Sequence, residues 1–276
     1  MVDSIKRIQA LAKIIFLDGM RRHAVIGLVG LALISEMFGL IFLDFFAQDL
    51  GRAVSDFLFS TMWVTGLIFL FFHAVQVMAW DEEHKVIFGI ISRPISRSEY
   101  VIGVGLGLAM LLLLLEAVLG GLAFAALLWV KSSVVIELYF QVFNYTHFIL
   151  AWFGLVLSLL VVLSAILLFS GVVRGGFAVL MMSISYYFIA SGLPLAREHI
   201  STLVQQGDAN AALEYILQGL SFLFPDLNRM DYKNFILVDV LPVSVSEISM
   251  QAMLSAAYIV LALSVACFAY NKRDIQ

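Results

Sequence analysis

The chain has 276 residues, of which 62% are hydrophobic and only 13% are charged, and its formal net charge is −4. Soluble domains hold about 45–50% apolar and about 25% charged residues, because their surface must be covered by polar side chains. This composition excludes a soluble enzyme and a disordered tail, and the lack of a basic excess excludes a nucleic-acid binder. The sequence therefore predicts an integral membrane protein in contact with a lipid bilayer.

The residue types that usually carry catalysis or hold metals are few and scattered. Cys267 is the one cysteine, and the five histidines include no pair at a metal-ligand spacing. No nucleophile is accompanied by a base and an orienting group. We therefore expect no catalytic residue, no metal site and no cofactor bound by this chain.

Six stretches are apolar and long enough to cross a bilayer, which takes about 20 helical residues. We predict an all-α integral membrane fold in which residues 24–276 form a six-span transmembrane domain. The predicted spans are 24–45, 56–79, 101–129, 147–170, 176–193 and 248–270.

The distribution of lysine and arginine predicts the orientation of these spans. Eleven of the 16 basic residues fall in segments on one side of the predicted membrane, and five fall on the other. Short cytoplasmic segments carry the excess of positive charge. We therefore expect both termini to be cytoplasmic, and an even number of spans agrees with this because it places both termini on the same side.

Residues 1–23 are predicted to form a separate amphipathic helix. One helical stripe is apolar and charged residues border it. Such a helix lies in the membrane interface. We expect an elbow helix on the cytoplasmic leaflet, which either helps to grip a cytoplasmic partner or serves as a simple anchor. The stripe consists of Ile5, Ile8, Ala12, Ile15 and Phe16.

Residues 193–247 form the least hydrophobic part of the chain. Gly192 and Pro194 are expected to end the fifth helix, because proline interrupts the helical hydrogen bonds. Residues 209–224 then have apolar side chains at helical spacing, opposite Glu214 and Gln218. We predict an external segment with an amphipathic helix half-buried at the outer leaflet, where a periplasmic or extracellular partner could bind.

The loop of residues 80–100, between the second and third spans, is the most informative segment. It begins with three acidic residues, continues through an apolar turn and ends in Ser-Arg-Pro-Ile-Ser-Arg. Pro94 disfavours a helix at the residue before it. Ser96 and Glu99 have the spacing of a capping box for the helix that follows. We predict a short helix across the cytoplasmic face, followed by a turn at Pro94 and re-entry of the chain into the membrane.

This segment resembles the type 2 ABC (ATP-binding cassette) exporter permease family. Its members have an acidic stretch after the second span, an apolar turn and an "rPisR" motif before the third span. Residues 11–23 are also similar to the N-terminal elbow of that family, and the six-span layout fits the whole chain. One departure is Val104, where members often have a lysine. The matching residues are Arg93, Pro94, Ile95, Ser96, Arg97, Tyr100, Gly103 and Gly107.

The resemblance implies that the loop is a coupling helix that docks into a cleft on a separate ATPase subunit. The chain itself has no Gly-x-x-x-x-Gly-Lys-Ser/Thr phosphate loop, so ATP and Mg²⁺ would be bound by that partner. The alternative is a re-entry loop capped only for stability. The expected coupling residues are Asp81, Glu82, Glu83, His84, Lys85, Ile87, Phe88, Arg93, Pro94, Ser96 and Arg97.

The resemblance also implies the composition of the whole assembly. Two ATPase subunits and a second permease chain, either identical or similar, would join this chain in the cytoplasmic (inner) membrane of a prokaryote. Export is expected rather than uptake. The substrate class is left open, because lipids, peptides, drugs, ions and polysaccharides all move through similar scaffolds.

Polar residues inside the predicted spans are candidates for a translocation path. A charge at the bilayer centre costs roughly 2.5–3.5 kcal/mol, so Glu36 and Glu116 are expected to face the protein interior. Tyr186 and Tyr187 lie in the fifth span and could face a central cavity. The alternative is that both glutamates are packing groups.

Two other functions are compatible with these features. A secondary transporter driven by protons would use Glu36 and Glu116 as its titrating groups. An assembly protein would use the strokes of an ATPase for mechanical work on an external partner, through the 193–247 segment. A membrane-embedded enzyme is disfavoured, because no convergent catalytic cluster is present.

Overall fold

The computed structural model describes residues 2–42, 50–83, 95–133, 143–206, 211–239 and 241–272. These ranges are almost entirely helical and contain no β-strand. Nine α-helices occur within them. In chain order they are α1 (Val2–Arg21), α2 (Ala24–Phe42), α3 (Leu50–Ile68), α4 (Val75–Glu83), α5 (Arg97–Ser133), α6 (Tyr145–Val172), α7 (Gly176–Gln206), α8 (Ala211–Leu223) and α9 (Val245–Lys272).

Within the described ranges, five helical segments are long and apolar enough to cross a membrane. The first predicted span corresponds to α2, whose described apolar stretch, Val25–Met37, is shorter than such a segment. The chain therefore has the helices of a multi-pass membrane protein, and a sixth span is not confirmed. The five segments are Leu50–Ala79, Arg97–Ser133, Tyr145–Val172, Gly176–Val204 and Val245–Lys272.

The core of the molecule is built around α5. This helix packs against α1, α2, α3, α6 and α9. Its leucines at helical spacing are completely buried, because neighbouring helices cover it on several sides. The buried leucines of α5 are Leu108, Leu111, Leu112, Leu115, Leu119 and Leu127.

A wider helical turn, Phe69–Ala74, joins α3 to α4. Single π-helical turns of this kind often occur at functional sites. The turn places His73 in the interior, stacked on Phe69 with ring centroids 5.1 Å apart. The Nε2 atom of His73 has no hydrogen-bond partner in the described part of the chain.

The N-terminal helix α1 packs lengthwise along the first turns of α5. Arg7 contacts Glu99, Leu11 lies against Gly103, and Ile15 lies against Gly107. The two residues of each pair are 92 positions apart in the sequence. The two helices therefore run parallel and in register. An elbow helix on the membrane surface is therefore not confirmed, because α1 is held by a neighbouring helix rather than by an interface alone.

The prediction that Gly192 and Pro194 end the fifth helix was wrong. Helix α7 continues through both residues to Gln206. Membrane helices tolerate proline where neighbouring groups bond to the backbone it disturbs. Here the side chain of Asn228 donates a hydrogen bond of 2.9 Å to the carbonyl oxygen of Ser191, within one turn of Pro194.

Residues 225–238, called the plug below, follow α8 and close one end of the bundle. Two short 3₁₀ turns, Leu227–Met230 and Lys233–Phe235, shape this segment. We call this end the loop end, and the opposite end, where α1 and α5 begin and α9 finishes, the terminal end. The plug buries its apolar side chains against the bundle. These are Leu227, Met230, Tyr232 and Ile236.

Candidate functional site

A chamber of about 200 Å³ lies under the plug at the loop end. At ~30 Å³ for each water molecule, it has room for about seven. Helices α3, α6 and α7 form its walls. The lining residues are Phe59, Ser60, Trp63, Ala151, Leu155, Ser158, Tyr187, Ser191, Leu227, Asn228, Met230, Asp231 and Lys233.

One wall of the chamber is held together by two aromatic residues. The indole Nε1 of Trp63, on α3, donates a hydrogen bond of 3.0 Å to the hydroxyl oxygen of Tyr187, on α7. Aromatic residues with a polar atom combine apolar area with a fixed hydrogen bond. The pair therefore joins two helices and lines the chamber with two aromatic rings that are tilted by 44° to each other.

The plug sits on α6 through a close backbone approach at Gly154. The carbonyl oxygen of Met230 lies where a side chain at Gly154 would begin, and a Cβ there would be 2.9 Å from the ring of Tyr232. A glycine is required, because any larger residue would collide with the plug backbone. On α9, the hydroxyl of Ser255 donates to the sulfur of Met230 at 3.6 Å.

The far side of the plug is fixed to the start of α6. The backbone N–H of Asn144 donates a hydrogen bond of 3.1 Å to the carbonyl oxygen of Ile236. The Nδ1 atom of His147 lies 2.9 Å from the carbonyl oxygen of Phe235. Asn144 also accepts from the N–H of Thr146 and so caps α6.

Charged groups border the chamber on the plug side. The ammonium of Lys233 lies 3.7 Å from a carboxylate oxygen of Asp56 and 3.5 Å from one of Asp231. Asp56 belongs to α3, so the lysine connects the plug to the bundle. Because these pairs are long and partly exposed, each contributes little stability, in the range of ~0–1 kcal/mol.

Glu116 lies in the centre of the bundle on α5 and is 0% exposed. Neither carboxyl oxygen has a hydrogen-bond partner in the described ranges. Oε1 lies 2.7 Å from the place where a Cβ on Gly66 would be, and Trp152 donates to the backbone oxygen of Glu116 at 2.9 Å. An unpaired charge here would be costly, because the carboxyl group is fully buried and has no described hydrogen-bond partner.

The other predicted path residues lie apart from one another. Tyr187 lines the chamber, whereas Tyr186 meets the ring of Phe169 edge to face and lies against the ring of Phe224. Glu36, on α2, is 4% exposed, and its Oε1 also lacks a described partner. Since neither oxygen of Glu116 is bonded, the two glutamates do not form a hydrogen-bonded pair.

At the terminal end, the predicted capping box is present at the start of α5. The N–H of Ser96 donates to Oε2 of Glu99 at 2.9 Å, and the N–H of Glu99 donates to Oγ of Ser96 at 3.2 Å. Most of the preceding loop, residues 84–94, lies outside the described residues, with His84, Lys85, Ile87, Phe88, Arg93 and Pro94. For Asp81, Glu82 and Glu83 the backbone is described, as the last turn of α4.

The first turn of α5 is bonded to both the first and the last helix. Arg7 of α1 holds Glu99 with N–O distances of 2.7 and 3.2 Å. Arg97 donates to the carbonyl oxygens of Tyr270 and Asn271 at 3.2 Å each, at the end of α9. We call these contacts the terminal junction. Asn271 adds a hydrogen bond of 3.1 Å to Ser98.

Sequence reasoning missed the chamber and the plug. Trp63 and Ser158 are unremarkable in apolar spans, and Lys233 belongs to a loop remote in sequence from both. One usable signal was Gly154, a lone glycine in a very apolar span. Gly103 and Gly107, four residues apart, likewise indicate close helix contact, but the sequence did not show that α1 is the partner.

No protein-family model matches this chain, and no curated protein matches it either.

Proposed function

We propose that this chain is the membrane-spanning permease subunit of an ABC transporter, which exports a substrate across the cytoplasmic membrane. A separate ATPase subunit binds ATP and Mg²⁺ and docks on the 80–100 loop. Two such ATPases and a second permease chain complete the assembly. The chain itself binds no nucleotide and catalyses no reaction.

The terminal junction is the observation that carries this proposal. The residues directly after the loop are bonded to α1 through Glu99 and to α9 through Arg97. A displacement of the loop therefore moves three helices together rather than one. Such rigid-body motion is how packed helices convert a local push into alternating access.

In this proposal the chamber under the plug receives the substrate near the end of its path. Trp63 and Tyr187 supply an apolar wall, and Ser158 and Asn228 supply hydrogen-bonding groups. The plug must move for release, because it covers the chamber at the loop end. Motion of the helices driven from the terminal end would supply that movement.

The test is co-purification of an ATPase subunit from native membranes. Arg93→Glu reverses a charge in the loop and should remove the ATPase and its nucleotide hydrolysis from the purified complex. The matched control is Lys131→Glu, the same reversal in the last turn of α5 at the loop end. Arg97 is unsuitable, because it also bonds the end of α9. An intact complex with Arg93→Glu would contradict the proposal.

A proton-driven secondary transporter is the second candidate, and Glu116 is the observation that favours it. A fully buried carboxyl group without a partner is a typical proton carrier in transporters. Transport into ATP-depleted vesicles under an imposed pH gradient should then persist, and Glu116→Gln should abolish it. Glu36→Gln tests the other buried glutamate. Transport that requires ATP and survives Glu116→Gln would exclude this candidate.

A further inference from the structure

A second cavity, of about 530 Å³, lies at the loop end between α7, α8 and α9. Its volume falls in the range of ~300–1,000 Å³ that is typical of ligand sites. Residues of the plug separate it from the chamber. This cavity takes no part in the proposed function, and the inference drawn from it does not depend on that function.

Two arginines from different elements line this second cavity. Arg197 comes from α7 and Arg229 from the plug. Within the described ranges, the guanidinium of Arg197 makes no ion pair and no hydrogen bond. Arg229 is bonded through Nε to Asp226 at 3.0 Å, and its two terminal nitrogens make no described contact. Asp226 lines the cavity as well, so two cations and one anion leave it a net positive charge, with free guanidinium donors.

Neutral polar groups lie beside the arginines. Gln218 of α8 and Gln251 of α9 both line the cavity, and neither amide has a described hydrogen-bond partner. Guanidinium groups match the oxygens of a phosphate, since their N–H groups form paired, charge-assisted hydrogen bonds. Amide N–H groups can bond further oxygens of the same ligand. These lining groups have the chemistry that binds a phosphate group.

Apolar side chains line the same cavity, and some of them are exposed to the surroundings. Leu193 and Leu254 line it, and Leu254 is also 44% exposed. Next to it on α8, Ile216 and Leu220 are exposed as well. A hydrocarbon chain attached to the phosphate could leave the cavity over these side chains.

We propose that this cavity binds a phosphate-bearing anion, with the phosphate between Arg197 and Arg229. An anionic phospholipid is the source that uses both the polar and the apolar lining residues. Free inorganic phosphate has the same head chemistry but would use only the polar ones. The two sources are separated by the experiment below.

The test uses the full chain in nanodiscs of phosphatidylcholine with a minor fraction of phosphatidylglycerol. Native mass spectrometry should find phosphatidylglycerol retained over phosphatidylcholine after mild delipidation. The double variant Arg197→Gln, Arg229→Gln should lower the apparent affinity at least about tenfold, because two charged hydrogen-bonding groups are lost. Arg52→Gln, which removes an exposed arginine at the same end, should change nothing.

A second variant guards against misfolding. Ser221→Trp fills the cavity but keeps both arginines, and it should also lose the retained lipid while circular dichroism is unchanged. Equal retention of both lipids, or unchanged retention in the double variant, would overturn the proposal. If millimolar inorganic phosphate raises the unfolding midpoint of wild type but not of the double variant, and no lipid is retained, the ligand is free phosphate.

Discussion

Single side chains at the loop end have roles that their neighbours do not share. Tyr187 accepts the hydrogen bond of Trp63, whereas the adjacent Tyr186 packs among aromatic rings. The sequence offered both tyrosines as equal candidates, because one turn of helix does not reveal which face meets a cavity. The distinction comes from the way α7 packs in the bundle, which brings Tyr187 to Trp63 of α3 and Tyr186 to Phe169 of α6.

We predict that Tyr187→Phe destabilises the bundle by about 1 kcal/mol, because the N–H of Trp63 loses its acceptor. Chemical unfolding in detergent measures the change. Tyr215→Phe is the matched control, since Tyr215 is 73% exposed on α8 and should tolerate the loss of its hydroxyl. If the two substitutions lower the stability equally, the hydrogen bond between Trp63 and Tyr187 does not contribute to it.

Helix α1 is held at a distance that only glycine permits at two positions of α5. A Cβ at Gly107 would lie 2.9 Å from the carbonyl oxygen of Ala12, which is backbone and cannot rotate away. At Gly103 the nearest neighbour is the side chain of Leu11, at 2.7 Å. Substitution at Gly107 must therefore displace a whole helix.

We expect Gly107→Ala to cost roughly 1–3 kcal/mol, the usual penalty for overpacking. Denaturation in mixed micelles, together with faster proteolysis of α1, reports the loss. Gly121→Ala provides the control on the same helix, because open space surrounds Gly121. If Gly121→Ala destabilises the protein as much, the cause is something other than the contact with α1.

The plug depends on Gly154 in a similar way. Gly154→Ala brings a methyl group onto the carbonyl of Met230, so we predict that the plug lifts from α6. Limited proteolysis should then cleave within residues 225–238 at least several times faster than in wild type. Gly192→Ala should leave cleavage unchanged, because no atom lies near Gly192. If the plug of the Gly154→Ala variant resists proteolysis as well as that of wild type, the described contact between the plug and α6 is contradicted.

The reliability of sequence reasoning differed between elements. The length of the apolar stretch predicted the bounds of α6 closely, because the hydrophobicity of a spanning helix is visible in its own sequence. The capping box at Ser96 is confirmed because it is a local pattern. The predicted end of the fifth helix was wrong, since Asn228, which is remote in sequence, donates a hydrogen bond to the backbone near Pro194. Packing of α1 and seating of the plug likewise depend on partners that no local pattern identifies.

On the scale of the whole molecule, the two ends are chemically different. The terminal end gathers the start of α1, the start of α5 and the end of α9, whereas the loop end carries the plug and both cavities. Much of α9 faces outward, since only 11% of its most apolar stretch is buried. Lipid or a second chain must cover this surface in the membrane.

The placement of the two ends on opposite sides of the membrane predicts how single cysteines are labelled in a Cys267→Ser background. If the termini are cytoplasmic, Asn234→Cys in the plug should react with an impermeant maleimide in intact cells. Asn271→Cys should react only after the membrane is permeabilised. Both positions are exposed in the structure, so access depends on the side of the membrane. The reverse pattern would invert the assignment and place the terminal junction outside.

The parallel contact of α1 with α5 has one more consequence. Because Leu11 and Ile15 of α1, and Gly103 and Gly107 of α5, are each four residues apart, sliding one helix by a single turn of about 5.4 Å would still set one apolar side chain onto one glycine. Packing of these residues thus opposes such a slide only in part. The Arg7–Glu99 ion pair forms in only one of the two alignments. It therefore fixes the position of α1 along the axis of α5.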